Sequence, residues 1–146
     1  MRISTKTQHA LRMMLDFAVH GNDGYTSLKD VAARMNVSKT YLEQVMIQIN
    51  KTDFLTAVRG SAGGYKLSRP LDRCSVGDIL RAMEGGVTHM DSMPESASKD
   101  DNGRVNRMAT DVWSGLEKVV MEYLDGMTLQ DIVDKHRDYL GYDYTI

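Results

Sequence analysis

The sequence predicts a mostly α-helical fold with one small β-hairpin, and three observations carry that prediction. The first is the stretch 37–67, VSKTYLEQVMIQINKTDFLTAVRGSAGGYKL, which reads as a helix followed by two short strands around a glycine turn. The second is the apolar series Val105, Ala109, Val112, Leu116, Val119 and Tyr123. Its 4-3-4-3-4 spacing is a heptad seam along one long helix. The third is a charge split within a chain of net charge −2. Residues 1–72 hold 10 Lys+Arg against 6 Asp+Glu, and residues 73–146 hold 8 against 14. The first half can face phosphates; the second cannot easily do so.

Taken in order, residues 3–20 form the first candidate helix. Ala10, Leu11, Met14, Leu15 and Ala18 give its apolar stripe, Ser4 or Thr5 can cap it, and Gly21 ends it in a Gly21-Asn22-Asp23-Gly24 turn. A second helix runs from about Leu28 to Met35, opened by Ser27 and Asp30 in a capping-box-like S-x-x-D pair. Asn36 and Val37 turn the chain into the third helix, whose N-cap is Ser38. There Leu42, Val45, Met46 and Ile49 repeat at i, i+3, i+4, i+7 and form a buried face, while Lys39, Thr40, Glu43, Gln44, Gln48 and Lys51 occupy the other. Two short helices joined by a few residues fit a helix-turn-helix.

Strands are expected at 54–59 and 65–68, around Gly60-Ser61-Ala62-Gly63-Gly64, with Arg59 at the base of the turn. Glycine permits positive φ and close backbone approach to a ligand. Helix pair plus Gly-rich hairpin is the layout of a winged helix-turn-helix DNA-binding domain, placed at 1–86. Ser75 and Asp78 cap a fourth helix with Val76, Ile79, Leu80 and Met83 inward, stopped by Gly85-Gly86. Residues 87–103 are polar and irregular, a flexible loop. The third segment, 104–146, holds the dimerisation helix and a C-terminal helix. A long helix from Arg104 to about Asp125 carries the seam, widened by Trp113 and Val120; such a face needs a partner, and a homodimer is expected. Gly126 ends it, and Thr128 caps a last helix through Leu129, Ile132, Val133 and His136. No role is assigned to the tyrosine-rich tail, 139–146.

Composition narrows the function. A hydrophobic content of 42% over 146 residues supports a core. One cysteine, Cys74, excludes an internal disulfide framework and an all-cysteine metal site within one chain. No signal peptide and no bilayer-length apolar run are present, so a soluble, cytoplasmic protein with no membrane partner is expected. No nucleophile–base pairing, P-loop or metal triad is visible, so no enzyme is expected.

The expected partner is double-stranded DNA. Ser38, Lys39, Thr40, Tyr41 and Gln44 occupy the first turns of the third helix, with Gln48 further along. Glutamine can pair bidentately with adenine, and Ser or Thr can meet base or phosphate. Glu43 can accept from cytosine but repels phosphate, so it can narrow sequence choice. In the wing, Arg59, Gly60, Ser61, Gly64 and Tyr65 can bring a guanidinium and backbone amides to the minor groove. Cys74 is a candidate redox thiol, since Arg73 beside it can lower its pKa. His89, Met90 and Met93 have donor types for a soft ion but sit in the flexible loop, so no metal is assigned. Met13, Met14, Met83 and Met108 read as core filler.

The motifs MRISTKTQHALRMML, SKTYLEQ, VRGSAGGYKL, SVGDILRAMEG and WSGLE occur in this order along the chain. Together they resemble the Rrf-two family of bacterial winged-helix regulators, which includes the iron–sulfur-cluster regulator, the nitric-oxide sensor and the cysteine-metabolism repressor. The resemblance covers essentially the whole chain. It implies a dimeric DNA-binding transcription factor whose third helix enters the major groove and whose wing reaches the adjacent minor groove. Cluster-binding members carry three cysteines between the fourth helix and the long helix; residues 86–104 here have none. Gln8 and His9 lie where some members recruit a non-cysteine ligand, but with no cysteine partner no cofactor is expected. The branch indicated is the one similar to the cysteine-metabolism repressor. Sensing is expected through a small-molecule effector between the wing domain and the long helix, a protein effector, or the thiol. The leading expectation is a homodimeric transcriptional repressor on a pseudo-palindromic operator. The alternative is a regulatory interaction module whose acidic C-terminal half docks a partner protein.

Overall fold

The computed structural model describes residues 2–21, 24–60, 63–85 and 101–137, without the side chains of 101 and 102. The elements run α1 (Thr5–His20), α2 (Leu28–Met35), α3 (Lys39–Ile49), β1 (Leu55–Val58), β2 (Gly64–Leu67), α4 (Val76–Glu84), α5 (Asp101–Asp125) and α6 (Leu129–Lys135). Short 3-10 turns lie at Asn50–Thr52 and Leu71–Arg73. Hydroxyls start the helices. Ser4, Ser27, Ser38, Ser75 and Thr128 cap α1, α2, α3, α4 and α6, each accepting from the backbone N–H three residues on. Ser75–Asp78 and Thr128–Asp131 are full capping boxes, satisfying two otherwise orphan amides apiece. Asn36 at φ 57° ends α2 in the left-handed region, which asparagine tolerates better than branched residues. α5 begins at Asp101, three residues before the expected Arg104.

Helices α1 to α4 enclose the core, with α1 at its centre. Ala10, Met13, Met14 and Phe17 are buried in α1, whereas Leu11 and Leu15 are half-buried. The single stripe expected from the sequence is thus shifted towards Met13 and Phe17. The cause is that α1 is packed by α2, α3, α4 and α6 together, so its buried arc is wider than one period reveals. The hairpin is antiparallel, pairing Leu55 with Leu67 and Val58 with Gly64. A single bridge between Thr26 and Tyr65 ties it to the segment before α2.

α6 folds back onto this core. Leu129 is fully buried in the same cluster as Ala10 and Cys74, and its N–H donates to Cys74 O (2.9 Å). α5 behaves oppositely. It packs on α4, while Val105, Val112, Leu116, Val119 and Tyr123 are 40–66% exposed. Of the loop expected at 87–103, residues 101–103 belong to α5 instead, and 87–100, with His89, Met90 and Met93, lie outside the described residues, as do the tail 139–146 and Asn22, Asp23, Ser61, Ala62 and Gly86.

Candidate nucleic-acid interface

α3 has two faces because its apolar residues repeat with the helical period. Leu42, Val45, Met46 and Ile49 are buried, while Lys39, Thr40, Glu43, Gln44 and Ile47 are exposed on the other side. Ser38 Oγ accepts from Tyr41 N (3.1 Å), which fixes the first turn. Lys39 Nζ and Glu43 Oε1 approach to 3.8 Å, so a cation and an anion lie side by side on the free face. Ile47 was not singled out in the sequence. It is 68% exposed, and its place three residues after Gln44, off the Leu42 face, was the signal. A branched apolar group there suits a thymine methyl.

The wing stands beside this face. A concave groove of about 590 Å³ lies between them, lined by Lys29, Lys39, Glu43, Arg59, Gly60 and Gly63 among others. Lys29, at the start of α2, is a second residue the sequence reading did not select. Gly60 sits at φ 123°, a conformation that side chains rarely adopt, and its carbonyl accepts from Gly63 N (3.0 Å) to close the turn. Arg59 is exposed at the end of β1. Ser61, assigned to the same surface, lies outside the described residues.

Two of the expected DNA-contact residues, Gln48 and Tyr41, turn towards neighbouring helices, while two others, Gly64 and Tyr65, line the groove and also brace the wing from behind. Gln48 Nε2–H donates to Met83 O at 2.7 Å, so this half-buried amide joins α3 to α4 rather than reaching outward. The Tyr41 hydroxyl lies 2.8 Å from His9 Nδ1, with the two rings edge to face, which turns Tyr41 towards α1. Tyr65 packs its ring against Phe17, and its backbone exchanges two hydrogen bonds with Thr26 (2.8 and 2.9 Å). Gly64 is required by that bridge: a Cβ there would strike the Thr26 carbonyl. Polar residues near the seam between the two faces were turned inward by partners distant in sequence.

Cys74 is a further correction. It is 1% exposed, and burial, helped by the charge of Asp78, pushes its thiol up to about 11, which Arg69 only partly offsets. Arg73, expected to lower it, lies exposed on the neighbouring 3-10 turn. A thiol so placed is almost wholly protonated at neutral pH and is a poor nucleophile. Iodoacetamide at pH 7 is therefore expected to label Cys74 only after denaturant is added. Stoichiometric labelling of the native protein within minutes would contradict this.

A second groove, about 660 Å³, lies between α1, the end of α5 and α6, with Leu11, Leu15, Tyr123, Met127 and Ile132 along it. No described helix is long and apolar enough to cross a membrane.

The family model Rrf2, described as an iron-dependent transcriptional regulator, matches residues 3–135. The chain belongs to the Rrf2 family. It is similar to the HTH-type transcriptional regulator CymR of Bacillus subtilis, 33% identical over 132 residues (90% of this chain, 89% of that protein). IscR of Cereibacter sphaeroides is 32% identical over 135 residues (91% and 87%). Among solved structures, IscR of T. potens superposes with a TM-score of 0.74 at 33% identity, covering 92% of this chain and 88% of that one. CymR of B. subtilis gives 0.73 at 31% identity, covering 92% and 98%. The winged-helix fold, transcription regulation and DNA binding follow for this Rrf2 protein. The family description raises iron. Thiolates hold iron–sulfur centres, and the donor set here offers one buried, protonated thiol and no cysteine between residues 86 and 104. Among the described residues, no group of three or more His, Cys, Asp or Glu side chains is placed to hold a metal ion. These residues do not fit a cluster.

Proposed function

We propose that the protein is a homodimeric repressor that binds a pseudo-palindromic operator, with α3 in the major groove and the wing against the adjacent backbone and minor groove. The observation that carries this reading is the shared groove between the exposed face of α3 and the glycine turn of the wing, with Lys29, Lys39 and Arg59 on its walls. Cations around a concave surface suit phosphates, and Gln44 and Thr40 on the exposed helix face suit base edges. Ile47 adds an apolar contact. The exposed apolar seam on α5 supports the homodimer, because two copies would cover each other's Val112, Leu116 and Val119. An isologous pair of heads matches an operator with two-fold symmetry. A small-molecule effector fits best in the Leu11–Ile132 groove, which joins the reading domain to the end of α5. Cys74, buried and protonated, is not part of the proposed signal.

The test is an operator selected from a random duplex pool, then salt-titrated affinities. Gln44→Ala is expected to cost about 1–3 kcal/mol and to relax base preference at one position of each half-site. Arg59→Ala is expected to weaken binding while keeping the preferred sequence and lowering the log–log salt slope by about 1 per head. If both folded variants bind the selected operator as the parent does, the docking arrangement is wrong.

A further inference from the structure

The joint between α4 and α5 is built more tightly than helix packing requires. The Arg81 guanidinium forms two parallel hydrogen bonds with the Asp125 carboxylate, Nη1 to Oδ1 at 2.8 Å and Nη2 to Oδ2 at 2.5 Å. Asp78 stands 3.7 Å from the same guanidinium. That pairing holds the Asp125 carboxyl below its ordinary range, chiefly through the Arg81 hydrogen bonds. Gly77 faces the carboxylate from α4, and a Cβ there would collide with it. Beside the ion pair, Val76 N–H donates to Met127 O (2.9 Å), and Ser75 bridges Thr128. The end of α5 is thus held by side chain and backbone at once.

The other end of α4 grips the reading head. Met83 O accepts from Gln48 of α3 (2.7 Å), and Glu84 Oε1 accepts from Ser4 N (2.7 Å) and Thr7 Oγ1 (2.9 Å) of α1. α4 is therefore a strut with the long helix at one end and the recognition helix at the other. From Trp113, the middle of α5, to Asp125 is about 18 Å of helix. A tilt of roughly 10° over that lever moves a head by about 3 Å, close to the 3.4 Å rise of a base pair.

Resting on the DNA-reading homodimer proposed above, we infer that Arg81, Asp125 and Gly77 are positioning residues. Acting through α4, they set the angle between the dimer seam and each recognition helix, and so select the spacing of the operator half-sites. An ion pair this exposed adds little to stability. Its geometry is what matters, because a bidentate Arg–carboxylate fork fixes orientation as well as distance.

The experiment uses the full-length chain and duplexes carrying the two selected half-sites at spacings varied by single base pairs. The parent is expected to prefer its best spacing over one two base pairs longer by about tenfold or more. Arg81→Gln is expected to reduce that preference to about threefold or less, while remaining dimeric and binding an isolated half-site as the parent does. Gly77→Ala, which improves helix propensity while displacing the Asp125 carboxylate, is expected to do the same and separates positioning from simple destabilisation. Parent-like spacing preference in folded, dimeric Arg81→Gln overturns the inference. Where that variant does not fold, Gly77→Ala decides by the same criterion. A parent protein that selects no paired half-sites brings down the DNA-reading proposal itself, and this inference with it.

Discussion

Leu116→Asp is expected to sediment as a monomer at micromolar concentration, where the parent chain sediments as a dimer. Leu116 lies at the centre of the α5 seam and is 40% exposed in the single chain, with Val112 and Val119 beside it at 64%. In the proposed dimer all three are covered by the partner's equivalent face. Aspartate there leaves an unpaired charge in an apolar interface, which costs about 3–5 kcal/mol, and two-fold symmetry places it twice. Because α5 touches its own domain mainly through α4, the substitution leaves the core intact. Far-UV circular dichroism and the unfolding midpoint of the monomer are expected to stay near those of a folded domain. Affinity for the paired operator falls towards that for one half-site, since the second head is no longer tethered. Velocity sedimentation decides it: a parent chain that is monomeric at micromolar concentration, or a variant that stays dimeric, removes the seam from the account.

The second large effect is on stability. Leu129→Ala is expected to cost about 2–5 kcal/mol in urea unfolding, because truncating a fully buried leucine removes transfer free energy and leaves a cavity. Leu129 has no exposed surface and sits against the core that holds Cys74 and Ile79. It also opens α6, whose capping box at Thr128 and Asp131 directs the chain back onto α1. Loosening α6 uncovers Cys74, so native-state labelling of the thiol should accelerate in step with the loss of stability. An unfolding free energy within about 0.5 kcal/mol of the parent's, the range of ordinary surface substitutions, would place α6 outside the core.

Much of the fold was legible because it is written locally. Each described helix start except that of α5 has a hydroxyl cap at the position the sequence marks, and the 42/45/46/49 repeat separates the two faces of α3. The wing glycines announce the hairpin, since Gly60 adopts a backbone angle that side chains resist. The seam on α5 is equally local: six residues at heptad spacing must share one side of a helix. The 3-10 turns and the inner boundary of α1's stripe were not legible, because they depend on how many neighbours surround an element.

The sequence by itself determined which residues share a face, where helices start and where the chain turns. It also determined the scarcity of thiol ligands, which separates this chain from a cluster-binding donor set. Only the tertiary structure decided where borderline side chains point. Tyr41 meets His9, Gln48 meets Met83 and Arg81 meets Asp125 across 32, 35 and 44 residues of chain. It likewise decided that Cys74 is enclosed: it is buried in the same core cluster as Leu129, whose N–H bonds its carbonyl from beyond the far end of α5. The reason is physical. Periodicity reports the geometry of one element, and the caps report the chain within a few residues, whereas a polar group at the edge of a face turns to whichever partner the packing brings near. That partner is fixed by contacts distant in sequence, which no local pattern encodes.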